Sequence, residues 1–77
     1  MGNARTNARM KRVAWLDGEI DRERKWIAEH GGDLAGYVKR YGTAADPVHY
    51  GNGGEAIYKA DSDALARLVA ERRLLAP

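Results

Sequence analysis

The stretch from Val13 to Ile27, V-A-W-L-D-G-E-I-D-R-E-R-K-W-I, constrains the fold more than any other part of this chain. Val13, Leu16, Ile20 and Ile27 recur at intervals of three, four and seven residues, so they line one stripe of a helix. Glu23 takes the stripe position between Ile20 and Ile27. Most of the remaining positions are charged. The pattern predicts one long, polar helix with a narrow apolar seam. Such a helix is stable only if a second amphipathic element covers the seam. Trp15 and Trp26 are the only tryptophans. They align with each other but sit about 100° round from the seam, so the seam's cover need not reach them.

The boundaries of this helix follow from local chemistry. Asn3, Thr6 and Asn7 can each accept from the free N–H groups of a first turn, which places the start between Asn3 and Asn7. Gly18 inside the run costs up to about 1 kcal/mol relative to alanine, too little to stop the helix. His30-Gly31-Gly32 supplies a glycine stop, with an imidazole near the negative end of the helix dipole. Asp33 caps a second, short helix in which Leu34, Tyr37, Val38 and Tyr41 share a face, and Gly42 ends it. Residues 42–54, G-T-A-A-D-P-V-H-Y-G-N-G-G, read as a glycine-rich irregular loop. Val48 and Tyr50 are candidates to pin it to the core. Asp61-Ser62-Asp63 reads as the start of a last helix whose apolar face is Leu65, Leu68, Val69 and Leu75. A helix running continuously from Gly54 would set Asp61 on the same face as Leu65 and Leu68, which argues for the later start.

The expected fold is therefore all-α. Two longer helices form an antiparallel hairpin, with one short helix and the glycine-rich loop closing its open end. Leu16, Ile20 and Ile27 are expected to pack against Leu65, Leu68 and Val69. Arg72, on the apolar face of the last helix, is expected to reach Glu19 or Glu23. Asp21–Lys25 and Asp63–Arg67 have the acid-first spacing of exposed helical ion pairs.

Seventy-seven residues make one domain, here a basic helical or frayed arm over 1–12 and a single helical body over 13–77. A chain this small buries only about 60% of its unfolded surface. It has no cysteine to staple it, which leaves self-association as the available reinforcement. Residues 1–16 carry four basic and no acidic side chains, and the rest carry nine basic and eleven acidic. A basic arm thus precedes a nearly neutral body. No run of 18 apolar residues exists to span a membrane, and the basic N-terminus lacks the apolar core of a secretory signal. A cytoplasmic protein is expected.

None of the chemistry-bearing residues assembles into a catalytic motif. His30 and His49, the only histidines, would need Asp33 or Asp46 to hold a metal, and their spacing fits no common site. Ser62 is the only serine and reads as a cap. The carboxylate pairs Asp61/Asp63 and Glu19/Glu23 suit capping and ion pairing. G-N-G-G at 51–54 lacks the lysine and the preceding strand of a phosphate loop, so it reads as a turn. No cofactor, no metal and no catalytic residue are expected. The candidate partner-binding residues are Trp15, Trp26, Arg5, Arg9, Lys11 and Arg12. Tryptophan is enriched at protein interfaces, and the four basic side chains could neutralise phosphates. Trp26 lies beside the turn, where it can also cover its own chain; Trp15 is farther away.

The string W-L-D-x-E-I…W-I-x-x-H-G-G…Y-V-x-x-Y-G…H-Y-G-x-G-G-E-A-I-Y-x-A-D…L resembles small proteins of actinobacteriophages, mycobacteriophages in particular, over about residues 13–70. The Gly-Gly-Glu-Ala-Ile-Tyr segment matches best. The abundance of alanine, glycine and arginine fits GC-rich codons. The resemblance brings no catalytic motif. It implies expression in an infected bacterial cytoplasm and a non-enzymatic role, such as binding a host or phage protein. The expected function is a protein-interaction module that self-associates; the alternative is a small nucleic-acid-binding protein using the basic N-terminal arm, although the long loop before the last helix disfavours a helix-turn-helix.

Overall fold

The computed structural model describes residues 4–43 and 53–76. Val48, His49, Tyr50 and the first two residues of the G-N-G-G turn lie outside them. The described residues form three helices and no strand: α1 (Ala4–His30), α2 (Leu34–Tyr41) and α3 (Gly53–Leu75). The molecule is a rod of 59 × 17 × 17 Å. Its backbone is the antiparallel hairpin of α1 and α3. Three cross-links fix the direction: Arg12 to Glu71, Asp17 to Arg72, and Trp26 to Asp61.

α1 passes through Gly18 without interruption. It ends where the glycines allow left-handed backbone: the Gly32 N–H donates to the Ile27 carbonyl at 2.8 Å, and Gly32 has φ 84°. This is the six-residue closure of a Schellman motif. Asp33 then caps α2, its Oδ1 accepting from the Gly36 N–H at 2.8 Å. Gly42, φ 82°, terminates α2 by donating to the Val38 carbonyl.

α3 begins at Gly53, not at Asp61. The argument for a later start was that a continuous helix would set a carboxylate among leucines. It does, and the carboxylate is satisfied there. Asp61 Oδ2 accepts from Tyr37 Oη at 2.7 Å and from Trp26 Nε1 at 3.2 Å. A burial cost that stands against an unpaired carboxylate does not stand against one with two ring donors. Ser62 is accordingly not a cap. Its Oγ donates back to the Lys59 carbonyl at 3.2 Å, inside the helix. The added turns of α3 give α2 something to pack on. Gly54 donates its N–H to the Gly42 carbonyl at 2.8 Å. A side chain there would collide with the Tyr37 carbonyl and come within 2.7 Å of the Val38 nitrogen. Only glycine lets the two backbones approach this closely.

The buried core consists of Leu16, Ile20 and Ile27 on α1 with Tyr37 on α2. On α3, Leu65, Leu68 and Val69 are half-buried, as expected of a helix covered from one side only. The two long helices pack together as the sequence reading expects, but the ion pairs differ in detail. Arg72 bonds Asp17 at 2.8 Å and the Ala76 carbonyl at 2.9 Å, rather than Glu19 or Glu23. Asp17 lies at the flank of the seam, where an exposed guanidinium reaches it without crossing the core. Glu19 pairs instead with Arg22 on its own helix. Asp21–Lys25 forms at 3.1 Å. Asp63 bonds Lys59 at 2.8 Å, because the longer α3 supplies a lysine one turn earlier. That contact holds the Asp63 carboxyl below its ordinary range, with Arg67 a weaker contributor.

Candidate interaction surface

The candidate partner-binding residues all lie on α1, with Arg9 on the line of the seam and the two tryptophans to one side of it. Trp15 and Trp26 are each 49% exposed, but their surroundings differ. The Trp15 ring has the Arg12 guanidinium 4.3 Å from its centroid. Arg12 is itself clamped by Glu71, with Nε 2.6 Å from Oε2 and Nη2 2.9 Å from Oε1. This fork geometry raises the Arg12 pKa and lowers that of Glu71, in each case mainly through the hydrogen bond. Trp15 therefore packs on a cation that α3 holds in place, with about half of its surface left exposed.

Trp26 is tied into its own chain. Its indole N–H goes to Asp61, and its ring stacks on His30 with centroids 3.9 Å apart and planes inclined by 23°. His30 Nδ1 lies 2.7 Å from the Trp26 carbonyl. A carbonyl can only accept, so Nδ1 carries the proton. The imidazole thus caps the last turn of α1 and braces the indole.

Asp61 is the meeting point of all three helices. Tyr37 on α2, fully buried, directs its hydroxyl to Asp61 on α3, which also holds Trp26 on α1. The Tyr37 ring meets Tyr58 edge-on at 5.1 Å and Tyr41 at 5.9 Å. Burial raises the Tyr37 pKa well above the usual phenol range, and the hydrogen bond to Asp61 adds to the shift. Sequence reasoning missed this knot. Its signal in the sequence is the spacing that puts Asp61 on one helical face with Leu65 and Leu68.

The basic residues divide. Arg5, Arg9 and Lys11 lie exposed along the opening turns of α1. Arg12, also exposed, is engaged by Glu71. Near them Arg9, Met10, Val13, Ala14, Asp17 and Ala76 line an open, mainly apolar groove of about 300 Å³. Gly53 and Gly54 are buried at the start of α3, so this half of the G-N-G-G turn faces α2. Among the described residues no three His, Cys, Asp or Glu side chains cluster as a metal site. Among them, too, no helix is long and apolar enough to cross a membrane. No family model, curated protein or solved structure matches the chain.

Proposed function

We propose that this protein is a small non-enzymatic interaction module. In this reading it is an actinobacteriophage accessory protein that binds a host or phage protein stoichiometrically in the infected bacterial cytoplasm and also self-associates. The observation that carries the reading is Trp15. It is a large, half-exposed aromatic on a rigid helix, held from one side by the Arg12–Glu71 clamp. An aromatic anchor that is already ordered loses little entropy on binding, which is the property of an interface hot spot. The phage context rests on the sequence resemblance over residues 13–70.

The alternative, nucleic-acid binding by the N-terminal arm, is weakened by the engagement of Arg12 with Glu71. Three exposed cations remain, Arg5, Arg9 and Lys11. Three phosphate contacts would lose roughly 40-fold in affinity between about 50 and 200 mM salt.

The test is capture from an actinobacterial lysate by tagged protein, wild type beside Trp15→Ala. One protein recovered in stoichiometric amount and lost with Trp15→Ala, while the circular dichroism of the variant is unchanged, is the expected result. Equal recovery by both proteins, or recovery of duplex DNA with the salt dependence above, would overturn the reading.

A further inference from the structure

Among the described residues, no close packing requires a glycine at position 18. Gly18 is exposed and helical, and a Cβ built there meets no atom within 4 Å. Glycine in the middle of an exposed helix weakens that helix. The usual reason to keep it is close approach of another backbone. Gly18 lies on the side of α1 turned away from Leu16, Ile20 and Ile27, with Ala14 one turn before it and Trp15 beside it. We infer that this outer face of α1 is a homodimer interface, occupied by α1 of a second copy running antiparallel. The inference rests on the self-association in the reading above and names its surface; because that surface includes Trp15, a second copy and a different protein occupy it in turn, not together.

Charge selects the arrangement. Lys11 and Glu29 share this face, are exposed, and form no ion pair among the described residues. When Gly18 faces Arg22 of the partner subunit, helix spacing also sets Lys11 against Glu29 of the partner subunit. The same register brings Trp15 beside Trp26 of the partner subunit. The two-fold axis makes each contact twice. The Arg22 stem then lies across the gap that Gly18 leaves. Sliding the helices so that Gly18 faces its own copy would oppose Lys11 to Lys25. A parallel pairing would set each charge against itself. Of these three, only the first matches opposite charges while bringing the tryptophans together. It also covers half-exposed aromatic surface on a chain whose buried side chains number few.

Sedimentation equilibrium at tens of micromolar tests the interface. The wild type is expected at twice the chain mass of 8.5 kDa. Gly18→Gln is expected at the single-chain mass with helical circular dichroism at or above wild type, because glutamine favours helix and meets open space in the monomer. Lys11→Glu should weaken association about tenfold, from two ion pairs turned to repulsion. Adding Glu29→Lys should restore it. A dimer that Gly18→Gln leaves intact would overturn this interface while self-association stands. Wild type at the single-chain mass would overturn both self-association and its surface, and leave binding to another protein to the capture experiment.

Discussion

Replacing Asp61 with alanine removes the acceptor at which the three helices meet, and the structure sets the size of the loss. Tyr37 is 0% exposed, so its hydroxyl cannot turn to water. A hydrogen bond to a charged group contributes about 1.5–3 kcal/mol, and a buried donor left unpaired costs about 1–3 kcal/mol. Trp26 is half exposed, so its N–H finds water and adds little. Alanine is the better helix former by roughly 0.5 kcal/mol, which offsets part of the loss. The expected net destabilisation is about 2 kcal/mol. With a urea slope near 1 kcal/mol/M for a chain this small, the midpoint should fall by about 2 M. Unfolding is followed by circular dichroism and tryptophan emission at one protein concentration, so that mass action does not enter. Asp61→Asn keeps a neutral acceptor and should lose about half as much. A double-mutant cycle with Tyr37→Phe isolates the pair, and its coupling should reach about 1 kcal/mol. A midpoint shift below about 0.5 M for Asp61→Ala, or no coupling to Tyr37, would show that the carboxylate is not what joins α2 to the hairpin.

Leu16→Ala, at a fully buried seam position, should cost about 2–5 kcal/mol in the same urea assay; Leu68→Ala, half-buried, should cost less. Gly54→Ala drives a methyl into the α2 backbone and should cost at least about 1–3 kcal/mol, seen as a lowered thermal midpoint. The raised pKa of Tyr37 means that the folded state holds this proton more tightly than the unfolded chain, whose phenol titrates near 10.0. Its contribution is complete below that pH and is lost as pH rises above it, so stability should fall on alkaline titration, and Tyr37→Phe should flatten that fall. Arg72 and Asp17 are exposed enough that their coupling should stay below about 1 kcal/mol, with none between Arg72 and Glu19.

The hairpin was legible because its determinants are local and periodic. The seam from Val13 to Ile27 repeats turn by turn, and the Asp33 cap and the glycines at 31, 32 and 42 each act over about a single turn. The start of α3 was not legible for the same reason. Near Asp61, local rules favour a cap, and only two donors distant in sequence, Tyr37 and Trp26, make a half-buried carboxylate on that face acceptable. The Arg72 partner was misassigned by two residues because seam geometry places Glu19 and Asp17 on opposite flanks, and the side on which Arg72 leaves α3 depends on how the helices are rotated. Sequence identified Trp15 and Trp26 as off the seam. It did not separate them, since the division of roles depends on Asp61 and His30 for one and on Arg12 with Glu71 for the other.

The central functional claim is that the Trp15 face of α1 is a surface for another protein chain. Trp26→Phe leaves Trp15 as the only indole and keeps an aromatic ring at position 26. The most direct measurement is its emission and its quenching by acrylamide as the protein is titrated from below a micromolar to tens of micromolar, and again with any captured partner. The expected result is a blue shift and loss of quenching as the complex forms, because a half-exposed ring becomes covered. Emission and quenching that stay constant through every complex the protein forms would contradict the claim.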